Sequence, residues 1–128
     1  MANATEITVN DLTANAWTDQ ATADALDTGT SDVTLYADVA GEGDRVIVEV
    51  TNTAAEDLDV TVLAGDDPPA FRSGMGALTA KTLSQNDVAI FGPFESARFI
   101  QNDGTVGMTF APGGTIAASI RAYKLPKA

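Results

Sequence analysis

Any chemistry this chain performs has to come from carboxylates, hydroxyls, lysines or arginines, because it contains neither histidine nor cysteine. Losing histidine removes the usual general base, the commonest metal ligand and the usual triad partner. Losing both removes the ordinary zinc sites, and losing cysteine removes disulfides and thiolates. The most suggestive pair is Asp66-Asp67, in the stretch Ala-Gly-Asp-Asp-Pro-Pro-Ala-Phe-Arg-Ser-Gly-Met-Gly at 64–76. Two carboxylates facing each other across a cleft can act as general acid and base. Neighbouring residues diverge in an extended chain, however, and Pro68-Pro69 follow at once as a stiff turn. No Gly-x-Ser-x-Gly elbow or Ser-x-x-Lys pair is present. Gly74-Met75-Gly76 lacks the third glycine and the lysine of a phosphate loop. The acidic turns at 24–27 and 41–44 offer oxygen ligands without the twelve-residue spacing of a calcium loop. The expectation is a protein that is not an enzyme and carries no metal and no cofactor.

What the 64–76 stretch offers instead is contact. Prolines cannot lie inside a sheet, so Pro68-Pro69 mark a real break between strands. Long breaks in compact domains are usually functional or disordered. This one combines stiffness with Phe71, Arg72 and Met75 among glycines. It reads as a preformed contact surface, or as a loop that folds back and buries Phe71 under itself. A second segment, 92–99, reads Gly-Pro-Phe-Glu-Ser-Ala-Arg-Phe. Either it closes one end of the domain with Phe94 and Phe99 in the core, or Glu95 and Arg98 also lie beside the proline loop and help to fix it. Arg72 has too few cationic neighbours for a phosphate site, so a carboxylate such as Glu95 is its natural partner.

The elements that must position these residues alternate with period two, the signature of half-buried strands. A first short strand falls in 6–12. Val33 to Val39, Val46 to Val50 and Leu58 to Ala64 alternate next, the last two reading as an antiparallel hairpin about a turn at 52–56. Strands follow at 78–83, 88–91, 97–101, 106–110 and 116–122. Asn102-Asp103-Gly104 reads as a hairpin turn. Residues 13–32 are polar and poor in apolar side chains, and read as a long loop or arm carrying Trp17, as an internal anchor or as a contact. The whole reads as an all-β, single-domain antiparallel β-sandwich over 1–128, jelly-roll-like, with an immunoglobulin-like sandwich as the alternative. Alternation does not encode strand order.

Eighteen acidic against seven basic residues give a net charge of −11. Nucleic-acid affinity rests on phosphate neutralisation by Lys and Arg, so no nucleic acid is expected as a partner. Anionic membranes repel such a chain, and no apolar run reaches the ~20 residues of a membrane helix. The first residues show no basic-then-apolar leader, and synthesis in the cytosol is expected.

The segments at 66–79 and 92–104, in that order, resemble small all-β decoration, or cement, proteins encoded among the head genes of tailed bacteriophages. The likeness extends over roughly 45–126 and leaves 13–32 uncovered. It implies a virion protein on the capsid exterior that binds the major capsid protein, often as a homotrimer, and strengthens the shell. It brings no catalytic residues. Contact candidates are Trp17, Asp66, Asp67, Pro68, Pro69, Phe71, Arg72, Met75, Glu95 and Arg98. The competing expectations are a tail- or fibre-associated module that recognises a host glycan by stacking on Trp17, Tyr36 and Tyr123, and a hydrolase using facing carboxylates.

Overall fold

A computed structural model describes residues 3–66 and 70–126. Asp67, Pro68 and Pro69 lie outside the described residues. Among the described residues nine strands and one α-helical turn follow in chain order: β1 (Val9–Asp11), β2 (Asp24–Leu26), β3 (Val33–Asp38), β4 (Val46–Asn52), β5 (Leu58–Val62), β6 (Lys81–Leu83), β7 (Val88–Phe91), α1 (Ser96–Phe99), β8 (Thr105–Pro112) and β9 (Ala118–Lys124), with short 3-10 turns at Gly43–Arg45 and Ser73–Met75.

Two sheets face each other. One has the order β1-β9-β4-β7, with β2 also on β9; the other has the order β3-β8-β5-β6. The pattern is that of one long hairpin rolled up. Strand β5 pairs antiparallel with β6, β4 with β7, β3 with β8 and β2 with β9. Successive pairs fall in alternate sheets, and β4–β9 and β5–β8 join them side by side. This is the jelly-roll arrangement rather than the immunoglobulin one. The proline-bearing connection between β5 and β6 is the tip of the rolled hairpin.

Period-two burial builds the core. Val46, Val48 and Val50 of β4, Leu58, Val60 and Val62 of β5, Val106, Met108 and Phe110 of β8 and Ala118, Ile120 and Ala122 of β9 are all buried, and they meet between the sheets. Each large aliphatic side chain taken from water contributes about 1.5–3 kcal/mol, most of it offset by chain entropy.

Three strand expectations are corrected. First, β4 and β5 do not form a hairpin, because they lie in opposite sheets. An arch between sheets and a hairpin need the same turn residues, so local sequence does not separate them. Second, 97–101 is not a strand. Phe99 and Ile100 are adjacent and both buried, and the chain is helical over Ser96–Phe99. The helical turn α1, closed by Arg98 and Phe99 N–H bonds of 3.0 Å to the Glu95 carbonyl, turns both inward. Third, 13–32 is not one continuous loop. Asp24–Leu26 is an edge strand, and Leu26 is completely buried. Its single apolar side chain was too little for a periodic signal.

One buried polar side chain holds the arch. Asn52 Nδ2 donates to the Glu56 carbonyl (2.9 Å) and the Leu83 carbonyl (2.8 Å), and its Oδ1 accepts from Ala54 N–H (3.0 Å). It thereby links the two sheets at β6. Replacing Asn52 with Ala strands these partners in the interior. The expected loss is about 2–4 kcal/mol, read as a lower urea midpoint at unchanged slope.

Candidate functional site

Strand direction alternates through the roll, so the connections β3–β4, β5–β6 and β7–β8 gather at one end. The candidate site is this loop cluster, and α1 is its floor.

Gly65 sets the closest approach. A Cβ on it would collide with the Ile100 carbonyl oxygen and lie 2.7 Å from the Ile100 nitrogen. Only glycine lets the two backbones meet there. The described residues of the loop are then bonded to α1 and the residues that follow it. Gly65 N–H donates to the Arg98 carbonyl (2.8 Å), Asp66 N–H to the Ile100 carbonyl (3.0 Å) and Arg72 N–H to the Ala97 carbonyl. Gln101 Nε2 donates to the Ala64 carbonyl (2.9 Å), and Asp66 Oδ2 accepts from Asn102 N–H (2.9 Å). Arg98 reaches back from α1 to the Gly76 carbonyl (3.1 Å) and the Ala77 carbonyl (3.3 Å). Under this platform Phe94 and Phe99 meet edge to face, with centroids 6.2 Å apart. Phe94 N–H bonds the Gly43 carbonyl at 2.9 Å, which brings the β3–β4 connection into the cluster.

The platform presents its apolar side chains outward. Phe71 is 81% exposed and Met75 55% exposed, while the neighbouring Ala70 is fully buried. The fold-back alternative for Phe71 is thereby corrected: Ala70 plugs the loop and the ring faces solvent. Arg72 lies between Phe71 and Met75 in sequence. Its Nε is 3.2 Å from Glu95 Oε1 and its Nη2 is 2.8 Å from Met75 Sδ. The ion pair is half exposed and contributes little stability; its effect is to fix the direction of Arg72.

Of the contact candidates, the structure brings together Asp66, Phe71, Arg72, Met75, Glu95 and Arg98, while Asp67, Pro68 and Pro69 fall outside the described residues. Trp17 stands apart. It is fully exposed, on a segment tied to β9 through Tyr123 Oη accepting from Ala21 N–H (3.0 Å) and Arg121 Nε donating to the Ala21 carbonyl (2.9 Å). As an internal anchor it is corrected: among the described residues nothing covers its ring. Tyr36 lies on β3 of the other sheet, so Trp17, Tyr36 and Tyr123 share no stacking surface. Gly65, Ile100, Gln101 and Asn102 escaped the sequence reading. Gly65 looked like one more loop glycine, and only its backbone neighbour reveals its function.

The acidic turns are used internally. Asp24 accepts from the Thr8 N–H (2.6 Å) and hydroxyl (3.0 Å). Glu42 receives Lys124 Nζ at 2.9 Å and Arg45 Nη1 at 2.6 Å, clamping the β3–β4 connection to the end of β9. Beside this clamp is an open depression of about 300 Å³ between Asp11, Leu12, Leu125 and Pro126. Among the described residues no cluster of three or more acidic side chains is placed to hold a metal, and no helix is long and apolar enough to cross a membrane.

Comparison with protein-family models, with curated proteins and with solved structures finds no match.

Two outcomes follow from this geometry. Gly65→Ala is expected to cost about 1–3 kcal/mol through overpacking and to speed amide exchange at Gly65 and Asp66. The second concerns pH. The hydrogen bonds from Lys124 and then Arg45 hold the Glu42 carboxyl down from 4.5 to about 2. A carboxylate more acidic folded than unfolded stabilises above its unfolded pKa. The Glu42 clamp is therefore fully effective above pH 4.5 and is lost as pH falls towards 2. Glu42→Gln should be less stable than the parent at pH 7, and the gap in thermal midpoint should close on acidification.

Proposed function

We propose that this protein is a structural binding subunit that docks through its 64–77 loop onto the outside of a protein shell, as a capsid decoration protein does. The carrying observation is the outward Phe71 and Met75 on a loop whose backbone is bonded to α1. Apolar side chains on a loop held this way lose little freedom on binding, which is where affinity is usually forfeited. Phe, Met and Arg are also the types enriched at protein interfaces. The segments that resemble decoration proteins are the two that build this platform, 66–79 and 92–104. The partner is then the major capsid protein, the location is the capsid exterior, and no catalytic step is involved.

Charge and copy number shape the binding. Subunits at −11 repel each other when crowded on a lattice, and salt shortens the range of that repulsion to ~10 Å at 0.1 M. Many modest contacts on a repeating surface hold firmly when neighbouring sites are linked.

Purified protein mixed with undecorated shells should co-sediment, and retention should rise with salt up to moderate ionic strength. Phe71→Ser removes ~1.5–3 kcal/mol of burial per contact. It should weaken binding about tenfold or more and shift the folded chain's thermal midpoint little, since the side chain is 81% exposed. Absence of the parent protein from the shell pellet overturns the proposal.

A further inference from the structure

The two sides of the sandwich are finished differently. On one side the N-terminal segment closes the gap. Ile7, buried, bridges to Ala37 of β3, while β1 and β2 share the free edge of β9. On the other side β6 and β7 are edge strands. Strand β6 carries Lys81 and Thr82, both exposed, the usual protection of an edge. Strand β7 reads Val-Ala-Ile-Phe, with no charge, and Val88 is 56% and Ile90 65% exposed.

The backbone of β7 is poised in a definite phase. Asn52 N–H donates to the Asp87 carbonyl at 3.0 Å. Bonding positions in an antiparallel pair recur at every second residue. In the register Val50↔Ala89 and Val48↔Phe91, Ala89 and Phe91 therefore bond towards β4. The N–H and C=O groups of Val88 and Ile90 point to the open edge. Among the described residues no other backbone group is bonded to them.

We propose that this edge pairs with β7 of a second copy, antiparallel, about a twofold axis through Ala89. In that register Val88 lies opposite Ile90 of the other copy and Ile90 opposite its Val88. All four outward groups of each strand are then satisfied, and four aliphatic side chains form one patch on the outer face. The contact is isologous, so the same strand serves both sides. The net −11 opposes association of like copies, but it is not concentrated on this edge, where the strand is uncharged and the flanking carboxylates already have partners. Asp87 already accepts from Ser84 N–H at 2.9 Å, and Glu49, across from Ile90, faces Arg121 at 3.8 Å. A four-residue strand pair buries less than the ~1,200 Å² of a stable interface. The pair is therefore concentration-dependent in solution and gains strength where a surface holds copies side by side. It is a twofold contact, distinct from the threefold one that the resemblance implies, and it does not rest on the shell-docking loop.

The test uses the natural lack of cysteine. Residues on the axis form a non-bonded pair with Cα atoms ~4.5 Å apart, within disulfide reach. Full-length Ala89→Cys, oxidised with diamide, should cross-link to a dimer; Thr82→Cys on the β6 edge should not. Adding Ile90→Lys, on an exposed side chain, should lower the Ala89→Cys cross-linking rate at least about tenfold, the equivalent of 1.4 kcal/mol. Sedimentation equilibrium of the cysteine-free chain should show mass rising with concentration, and Ile90→Lys should stay monomeric with an unchanged circular dichroism spectrum. Equal cross-linking at positions 82 and 89 overturns the proposal. So does a parent chain that remains monomeric at high concentration, or a trimer that Ile90→Lys leaves intact.

Discussion

The antiparallel pairs β5–β6, β4–β7, β3–β8 and β2–β9 descend from one constraint: the chain turns back on itself between Val62 and Lys81, and its second half retraces its first. Once β5 lies against β6, the order of the remaining pairs is set, and rolling the double strand closes it into two sheets. The tip of that turn is the 64–77 loop. A tip of this length would ordinarily be the loosest part of a jelly roll. Here it is pinned where Gly65 lets backbone meet backbone at Ile100, and where α1 returns side-chain and main-chain bonds along it.

That pinning turns an irregular segment into a surface. Ala70 and the Phe94–Phe99 pair bury the underside, so the loop has its own small extension of the core. With the underside filled, Phe71 has no space inside and is displayed. The Arg72–Glu95 pair and the Arg72–Met75 contact then order the polar and sulfur-bearing neighbours around the ring. Rigidity below and apolar display above are two aspects of one packing arrangement.

Polar side chains do the joining that strands cannot. Asn52 crosses between sheets where β4 ends, and Glu42, held locally by Arg45, ties the β3–β4 connection to β9 through Lys124. Both sit at places where the ladder stops and backbone groups need partners. The excess of carboxylates over cations thus overstates how acidic the working surfaces are. Several acids are consumed internally, Asp24, Glu42, Asp66 and Asp87 among them, and β7 is left as an uncharged strip.

Much of this was legible beforehand. Strict alternation in Val46–Asn52 and Leu58–Val62 declared buried strands, because inside and outside alternate along any pleat. The absence of histidine and cysteine removed whole classes of chemistry, and the proline pair marked the tip. Fold class and the inward faces of the alternating strands belong to the sequence alone, since each depends on residue type and near neighbours; that Arg72 would seek a carboxylate was legible too, but Glu95 is its partner because the fold brings α1 beside the loop. Tertiary structure alone decided the rest. Whether a turn joins strands of one sheet or two, as at Asn52, depends on partners more than thirty residues away. Whether Phe71 faces in or out depends on Ala70 and Phe99 having filled the space first. That Gly65 must be glycine, and that β7 is left bare while β9 is covered, are facts about which backbone arrives next to which, and no local pattern of side chains records them.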